Sequence, residues 1–261
     1  MAIITLTSDW QNDDFYVAAM KGHIYSQCPD ARIIDITHRI NGFSSADTAF
    51  VLKGSYRHFP EGTIHIICTN SEVSDTAPPL CVCHRGQYFI GADVRAFSVM
   101  FGTQPDHVFR LNSGNGLQNS TFPELTIFAQ AACLIANGTP IEQLGDDITD
   151  SFSTIQLAPR STSDLIAGNV LYIDSYKNVI SNIGRKWFSE VAHGRNFRIT
   201  FKNNIYITEK IMRTYSDVET GEFVALFNSL GLLELAIRNG RLAEMANIDN
   251  PGSGSIIIEF K

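Results

Sequence analysis

Apolar positions in the first 150 residues fall into two alternating rhythms. Short runs at 2–7 (AIITLT), 31–37 (ARIIDIT), 63–69 (TIHIICT), 80–84 (LCVCH) and 107–111 (HVFRL) have the length and β-branched content of buried strands. Between them, Val17, Met20 and Ile24 recur at helical spacing within 13–27, and 44–59 reads as a second helix behind a serine cap. The strand at 80–84 turns at Arg85-Gly86-Gln87 into YFIG (88–91), and 93–101 reads as a helix. After Pro123 a helix is expected to run to Gly138, with proline at its start and glycine at its end. Strands separated by helices of this length need crossovers. The pattern predicts a layered α/β domain, a mostly parallel sheet with helices on both faces.

From about Asp146 the texture changes. The polar stretch DDITDSFSTIQLAPRSTSD has no helical period and reads as a connection. Short strands follow at 165–174, 178–183, 196–201, 204–207, 222–228, 232–237 and 254–260, with turns every 8 to 12 residues or so. The expected division is an α/β domain at 1–150, a linker at 151–162 and an all-β domain at 163–261, a small antiparallel barrel.

Composition narrows the function classes. A chain of 261 residues, 44% hydrophobic and 18% charged, has ample material for packed cores. Its net charge of -7 disfavours a nucleic-acid partner, which needs a basic face. No apolar stretch approaches the roughly 20 residues of a spanning helix, so no membrane role is expected. A strand pattern begins at once with no signal-peptide layout, and the expected compartment is the cytoplasm. Cys28, Cys68, Cys81, Cys83 and Cys133 read as reduced core thiols; Cys81, Cys83 and His84 lack a second ligand pair, so no metal is expected. His38, His58, His65 and His84 read as core or surface histidines, and Lys202 and Lys210 as solvated strand edges. The loop at 112–120 has phosphate-loop composition without the Lys-Ser/Thr of a P-loop, and is read as a plain loop.

The first strand ends in acids, Asp9, Asp13 and Asp14. In an open parallel sheet, ligands bind beyond the carboxyl ends of the strands. A carboxylate at Asp9 can accept two hydrogen bonds from a vicinal diol, which makes a ribose a natural guest. The plainer reading has Asp13 and Asp14 capping the next helix and Asp9 merely ending a strand.

The whole segment is more specific. Ser8-Asp9-Trp10-Gln11, Asp14-Phe15-Tyr16-Val17, Met20-Lys21-Gly22 and Asp35-Ile36-Thr37-His38 follow in order. FPEGTIHI (59–66), YIDSYKNVISNI (172–183) and NSLGLLELA (228–236) come later. Together they resemble the S-adenosylmethionine hydroxide adenosyltransferase family, relatives of the fluorinase and chlorinase enzymes. The resemblance implies that water attacks C5′ of S-adenosylmethionine to give adenosine and methionine, with no cofactor beyond the substrate itself. It implies that Asp9 holds the ribose hydroxyls and that Asp14 and Tyr16 lie by the amino-acid portion. Asp174 and Ser229 would contact the methionine amino and carboxylate groups, and Asn178 would read the adenine edge. A homotrimer with sites between neighbouring subunits is also implied.

Departures from the family pattern cluster at the water site. Asn70 stands where the hydrolases have an aspartate, Ala77 or Pro78 near their arginine, and Pro123 at their histidine. Glu124 replaces a glycine, and Gln11 replaces another in the first loop. Asn70 can orient a water but cannot take its proton, whereas Glu124 could act as a base if burial raises its pKa. The plain reading of Glu124 is an exposed first-turn acid at a helix start. Two readings therefore stand: a hydrolase with Asn70 and Glu124 as a substitute water site, or a catalytically silent protein that binds S-adenosylmethionine or adenosine. A halide-using enzyme is disfavoured, because a carboxylate at Glu124 would repel an anion by about a kcal/mol or more. A calcium-dependent nucleoside hydrolase is disfavoured too, since SDWQNDD has Ser8 and Asn12 where that motif needs an acid and a glycine.

Overall fold

Contacts within the chain gather it into two units, Met1–Gln156 and Leu157–Lys261. The computed structural model describes residues 1–11, 14–42, 44–93, 95–112 and 120–261. Asp13 and most of the 112–120 loop lie outside the described residues. Among the described residues, no helix is long and apolar enough to cross a membrane.

In the first unit the strands are β1 (Ile3–Ser8), β2 (Arg32–Thr37), β3 (Ile64–Cys68), β4 (Pro79–His84), β5 (Gln87–Ala92), β6 (His107–Leu111) and β7 (Gly145–Asp147). Its helices are α1 (Tyr16–Gln27), α2 (Ser45–Ser55), α3 (Ala96–Met100) and α4 (Ala129–Ala136). Among the described residues the strands form one sheet in the order β2-β1-β3-β5-β4-β6-β7. β1 pairs in parallel with β2 and β3, and β3 with β5. β4 runs antiparallel to β5 and β6, and β6 to β7. The sheet is mixed, then, where a mostly parallel one was expected. The reason is local: Arg85 (φ 52°) and Gly86 (φ 69°) make a two-residue hairpin turn between the paired His84 and Gln87. That turn sends the chain straight back, so β5 comes to run parallel to β3 with the reversed β4 on its other side, whereas β1 reaches its parallel neighbour β2 through α1.

Side-chain alternation along the strands sorts the helices. Ile4, Leu6, Ile64, Ile66, Cys81 and Ile90 pack with Met20 and Ile24 of α1 and with Ala129 and Ala132 of α4. From the opposite face, Ile67, Leu80, Val82 and Phe89 meet Ala49 and Leu52 of α2 and Phe97 and Met100 of α3. On this second face a polar line crosses the sheet: Thr5 Oγ1 lies 2.7 Å from His65 Nδ1, and His65 Nε2 lies 2.8 Å from Gln87 Oε1. Burial holds the His65 pKa down at about 4, so the ring is neutral and serves packing.

Helix α1 starts at Tyr16, with Phe15 at its N-cap and no side-chain cap. Asp14 therefore precedes the helix instead of standing in its first turn. By contrast, α2 is capped as expected, Ser44 Oγ accepting from the Asp47 N–H at 3.2 Å.

The second unit is built on β8 (Arg160–Ser161), β9 (Leu165–Ile173), β10 (Val179–Gly184), β11 (Phe197–Phe201), β12 (Tyr206–Thr208), β13 (Phe223–Phe227), β14 (Leu232–Ile237) and β15 (Ser255–Phe260). Among the described residues the order is β12-β11-β15-β9-β10-β14-β13, with β8 against β9. Every one of these strand pairings is antiparallel, and the sheet curls into a nearly closed barrel around Ile166, Ile199, Phe201, Leu233, Leu235 and Ile258. Gly168 sits where strands crowd: a Cβ there would lie 2.5 Å from Ile183 Cγ1. Two helices, α5 (Arg185–Ala192) and α6 (Leu242–Met245), correct the all-β expectation. Both lay apolar residues on the barrel core, Phe188, Val191 and Ala192 from α5 and Leu242 and Ala243 from α6. Segments this short are easily read as strand–turn stretches.

Candidate functional site

Register places the first group of residues. Ser8 at the end of β1 pairs with Cys68 at the end of β3, so Asp9 and Asn70 emerge side by side beyond the carboxyl ends of parallel strands. Asn70 takes a left-handed backbone (φ 47°), which asparagine tolerates better than most residues. In that conformation its N–H donates to Asp9 Oδ2 at 3.4 Å.

The loop carrying Asp9 is pinned from β2. Ser8 Oγ lies 2.7 Å from His38 Nδ1, and the Gln11 N–H donates to the His38 carbonyl at 2.7 Å. Gln11 keeps the left-handed conformation (φ 63°) that a glycine would adopt freely, so the turn survives the substitution at a backbone cost of about 1–2 kcal/mol. Lys21 pairs with Asp35 at 2.6 Å on the same side, which gives the Met20-Lys21-Gly22 and Asp35–His38 motifs a bracing role.

Glu124 opens a five-residue π turn, Glu124–Phe128, ahead of α4. Such turns are rare and are frequent at functional sites. Glu124 is only 5% exposed, and Oε1 accepts a short hydrogen bond from Ser71 Oγ. The exposed first-turn acid of the plain reading is thereby corrected: this turn aims its acid inward. Burial raises the Glu124 carboxyl above its ordinary range; the Ser71 hydroxyl and Trp10 side chain pull it back, while the charge of Asp9 adds to the rise. The neighbouring Cys68 thiol is driven up by burial and by the charges of Glu124 and Asp9, so it remains a neutral thiol.

Aromatic rings line this neighbourhood. Trp10, Tyr16 and Phe122 contact one another with centroids 5.8, 5.6 and 5.4 Å apart, and Phe15 packs tilted against Tyr16 at 4.4 Å. Of the residues expected in this unit, the fold gathers Asp9, Tyr16, Asn70 and Glu124 around one spot. Asp14 stays exposed and, among the described residues, has no hydrogen-bond or ion-pair partner. Ser71, Trp10 and Phe122 escaped the sequence reading. Ser71 carried no periodic or motif signal; the two aromatics could have been flagged by their places beside Asp9 and Glu124.

The second unit has its own polar cluster. Asp174 follows β9, and its Oδ1 accepts from the Asn178 N–H at 2.8 Å while Oδ2 accepts from Asn178 Nδ2 at 3.2 Å. On β14, Glu234 is 3% exposed; it accepts a short hydrogen bond from the Tyr215 hydroxyl and another from Asn228 Nδ2 at 3.2 Å. Burial raises the Glu234 carboxyl, its hydrogen bonds to Tyr215, Asn228 and Asn178 pull it back, and the charge of Asp174 pushes it up. Ser229 is exposed in the turn between β13 and β14, where Asn228 Oδ1 accepts from the Leu230 and Leu232 N–H groups. Asp174 and Asn178 are thus joined directly, while Ser229 stands on the adjoining turn. Glu234 was the missed residue with a readable signal, a lone acid inside the apolar run LLELAI. Among the described residues no cluster of His, Cys, Asp and Glu has the grouping of a metal site.

Comparison with known proteins fits both units. Residues 4–145 match the model of the SAM hydroxide adenosyltransferase N-terminal domain, and residues 168–252 that of the C-terminal domain. An (R)-S-adenosyl-L-methionine hydrolase of Methanocaldococcus jannaschii is 27% identical over 264 residues, covering 95% of this chain and 92% of that protein. A fluorinase of Nocardia brasiliensis is 26% identical over 282 residues, covering 94% and 93%. Among solved structures, an uncharacterized conserved protein from Thermotoga maritima superposes with a TM-score of 0.85 at 24% identity, covering 99% of each chain, and supports the fold.

Proposed function

The chain belongs to the SAM hydroxide adenosyltransferase family, and on that premise we propose that it is an S-adenosylmethionine hydrolase, directing water at C5′ to release adenosine and methionine. The observation that carries this reading is the gathering of Asp9, Asn70 and buried Glu124 at the carboxyl ends of β1 and β3. Asp9 accepts from the Asn70 N–H through Oδ2, and its carboxylate has further lone pairs for a ribose diol. Trp10, Tyr16 and Phe122 offer ring faces to a sulfonium, the kind of cation that aromatic clusters hold. Because a sulfonium is already a good leaving group, the protein's task is to hold water in line and exclude the bulk. Asn70 orients the water and Glu124 accepts its proton. In the second unit Asp174 and Ser229 take the methionine end and Asn178 the adenine edge, with Asp14 and Tyr16 beside the amino-acid portion. The same reading has three copies assembling in the cytoplasm with sites between neighbouring subunits.

A second reading keeps the ligand without the chemistry. It is favoured by Asn70 and Pro123 standing where the hydrolases place an aspartate and a histidine, and by acids that stabilise a bound cation more than the neutral products. Incubation with S-adenosylmethionine, followed by chromatography for adenosine and calorimetry for binding, separates the two. Adenosine accumulating in proportion to protein supports the hydrolase; tight binding with no adenosine after long incubation refutes it and leaves the binder.

A further inference from the structure

We propose that Ser71 and Glu124 work as a pair, with Ser71 Oγ contacting the attacking water and passing its proton inward to Glu124. This rests on the hydrolase reading and assigns the proton path that reading needs. Glu124 is buried, and among the described residues the hydroxyl that meets it is that of Ser71, a half-buried residue immediately beyond Asn70, beside a further hydrogen bond to the Trp10 side chain. A buried acid reached through a partly exposed hydroxyl is a route from the cleft to a base, and a solvated first-turn acid has no need of one.

The neighbours leave that role open. Asn70 has spent its N–H on Asp9 and carries no basic atom. Asp9, from the end of β1, is the charged group that acts on Glu124, and Glu124 in turn acts on Cys68 at the end of β3. The thiol is held protonated, and Asp9 is committed to the Asn70 N–H and, in the hydrolase reading, to the ribose. His38 is tied to Ser8, in the brace behind the loop.

The step balances without a co-reactant. The water oxygen bonds to C5′ as the C5′–sulfur bond breaks, and that electron pair neutralises the sulfonium to the thioether of methionine. One water proton moves to Ser71 Oγ while the Ser71 hydroxyl proton moves to Glu124. The resulting carboxylic acid releases its proton to solvent before the next turnover.

The test compares the full-length protein with Ser71→Ala, Ser71→Thr and Glu124→Gln, measuring adenosine formation across pH 5–9 and S-adenosylmethionine binding by calorimetry. Expected are a fall in kcat of about 100-fold or more for Ser71→Ala and Glu124→Gln. Their Kd values should stay within about threefold of the wild type. Ser71→Thr, which keeps the hydroxyl, should retain at least a tenth of the rate. Wild-type kcat should rise with pH through the raised Glu124 range, and that limb should vanish in Glu124→Gln. An active wild type whose Ser71→Ala variant is equally fast, or whose Glu124→Gln variant keeps the acidic limb, overturns the pair and leaves the hydrolase standing. A wild type that binds without forming adenosine overturns both.

Discussion

Glu234 offers the sharpest test of how the second unit is held. Truncation to alanine strands the Tyr215 hydroxyl and the Asn228 amide, and removes the Asn178 side-chain contact to the same carboxyl. Hydrogen bonds to a charged group contribute about 1.5–3 kcal/mol each. Tyr215 is 43% exposed, so its hydroxyl can turn to water, and removing a desolvated charge gives part of the loss back. The net expectation for Glu234→Ala is a loss of about 1–3 kcal/mol at pH 7. Glu234→Gln keeps an acceptor oxygen without the charge and should lie within about 1 kcal/mol of the wild type. The pH dependence fixes the sign. Because the folded carboxyl titrates above its ordinary 4.5, its stabilising contribution is full below that value and is lost as pH rises through the folded pKa. The wild type should therefore gain on Glu234→Gln as the solution is acidified from pH 7 to 4. Each unit carries one of the two tryptophans, so urea melts followed by Trp187 fluorescence in a Trp10→Phe background report the second unit alone. At an m-value of about 2 kcal/mol per molar, the alanine variant should lose about 0.5–1.5 M in midpoint. An alanine variant as stable as the wild type, or a glutamine variant that gains on acidification, would refute the reasoning.

Two further outcomes follow from the packing. Gly168→Ala places a Cβ 2.5 Å from Ile183 Cγ1 between paired strands, and should cost about 1–3 kcal/mol in a urea melt. His65, held near 4 by burial, favours the folded state above its ordinary 6.5 and loses that advantage as pH falls from 6.5 to 4. About 3 kcal/mol should disappear over that window, relative to a His65→Gln variant measured in parallel.

The strands and helices of the first unit were legible because each obeys one periodicity. Met20 and Ile24 share a helical face, and the alternation of Leu80, Cys81 and Val82 assigns neighbouring side chains to opposite layers. Strand direction was less legible. The Arg85-Gly86 turn was visible, but the placing of β4 between β5 and β6 is decided by long-range pairing. At the site, Asp9 could be found from its place at a strand end and from the family pattern. The burial of Glu124 could not be found that way. A proline followed by an acid announces a helix start, whereas the π turn that buries the acid depends on what lies beneath it, here Ser71 and Cys68.

Asp9 gripping the sugar of a nucleoside is the contact on which the proposed hydrolysis turns. Calorimetric titration of wild type and Asp9→Ala with adenosine and with S-adenosylmethionine tests this most directly. Loss of hydrogen bonds to a carboxylate should weaken both affinities by about 10- to 100-fold, with the thermal midpoint of the protein little changed. Equal dissociation constants for the two proteins would contradict the account.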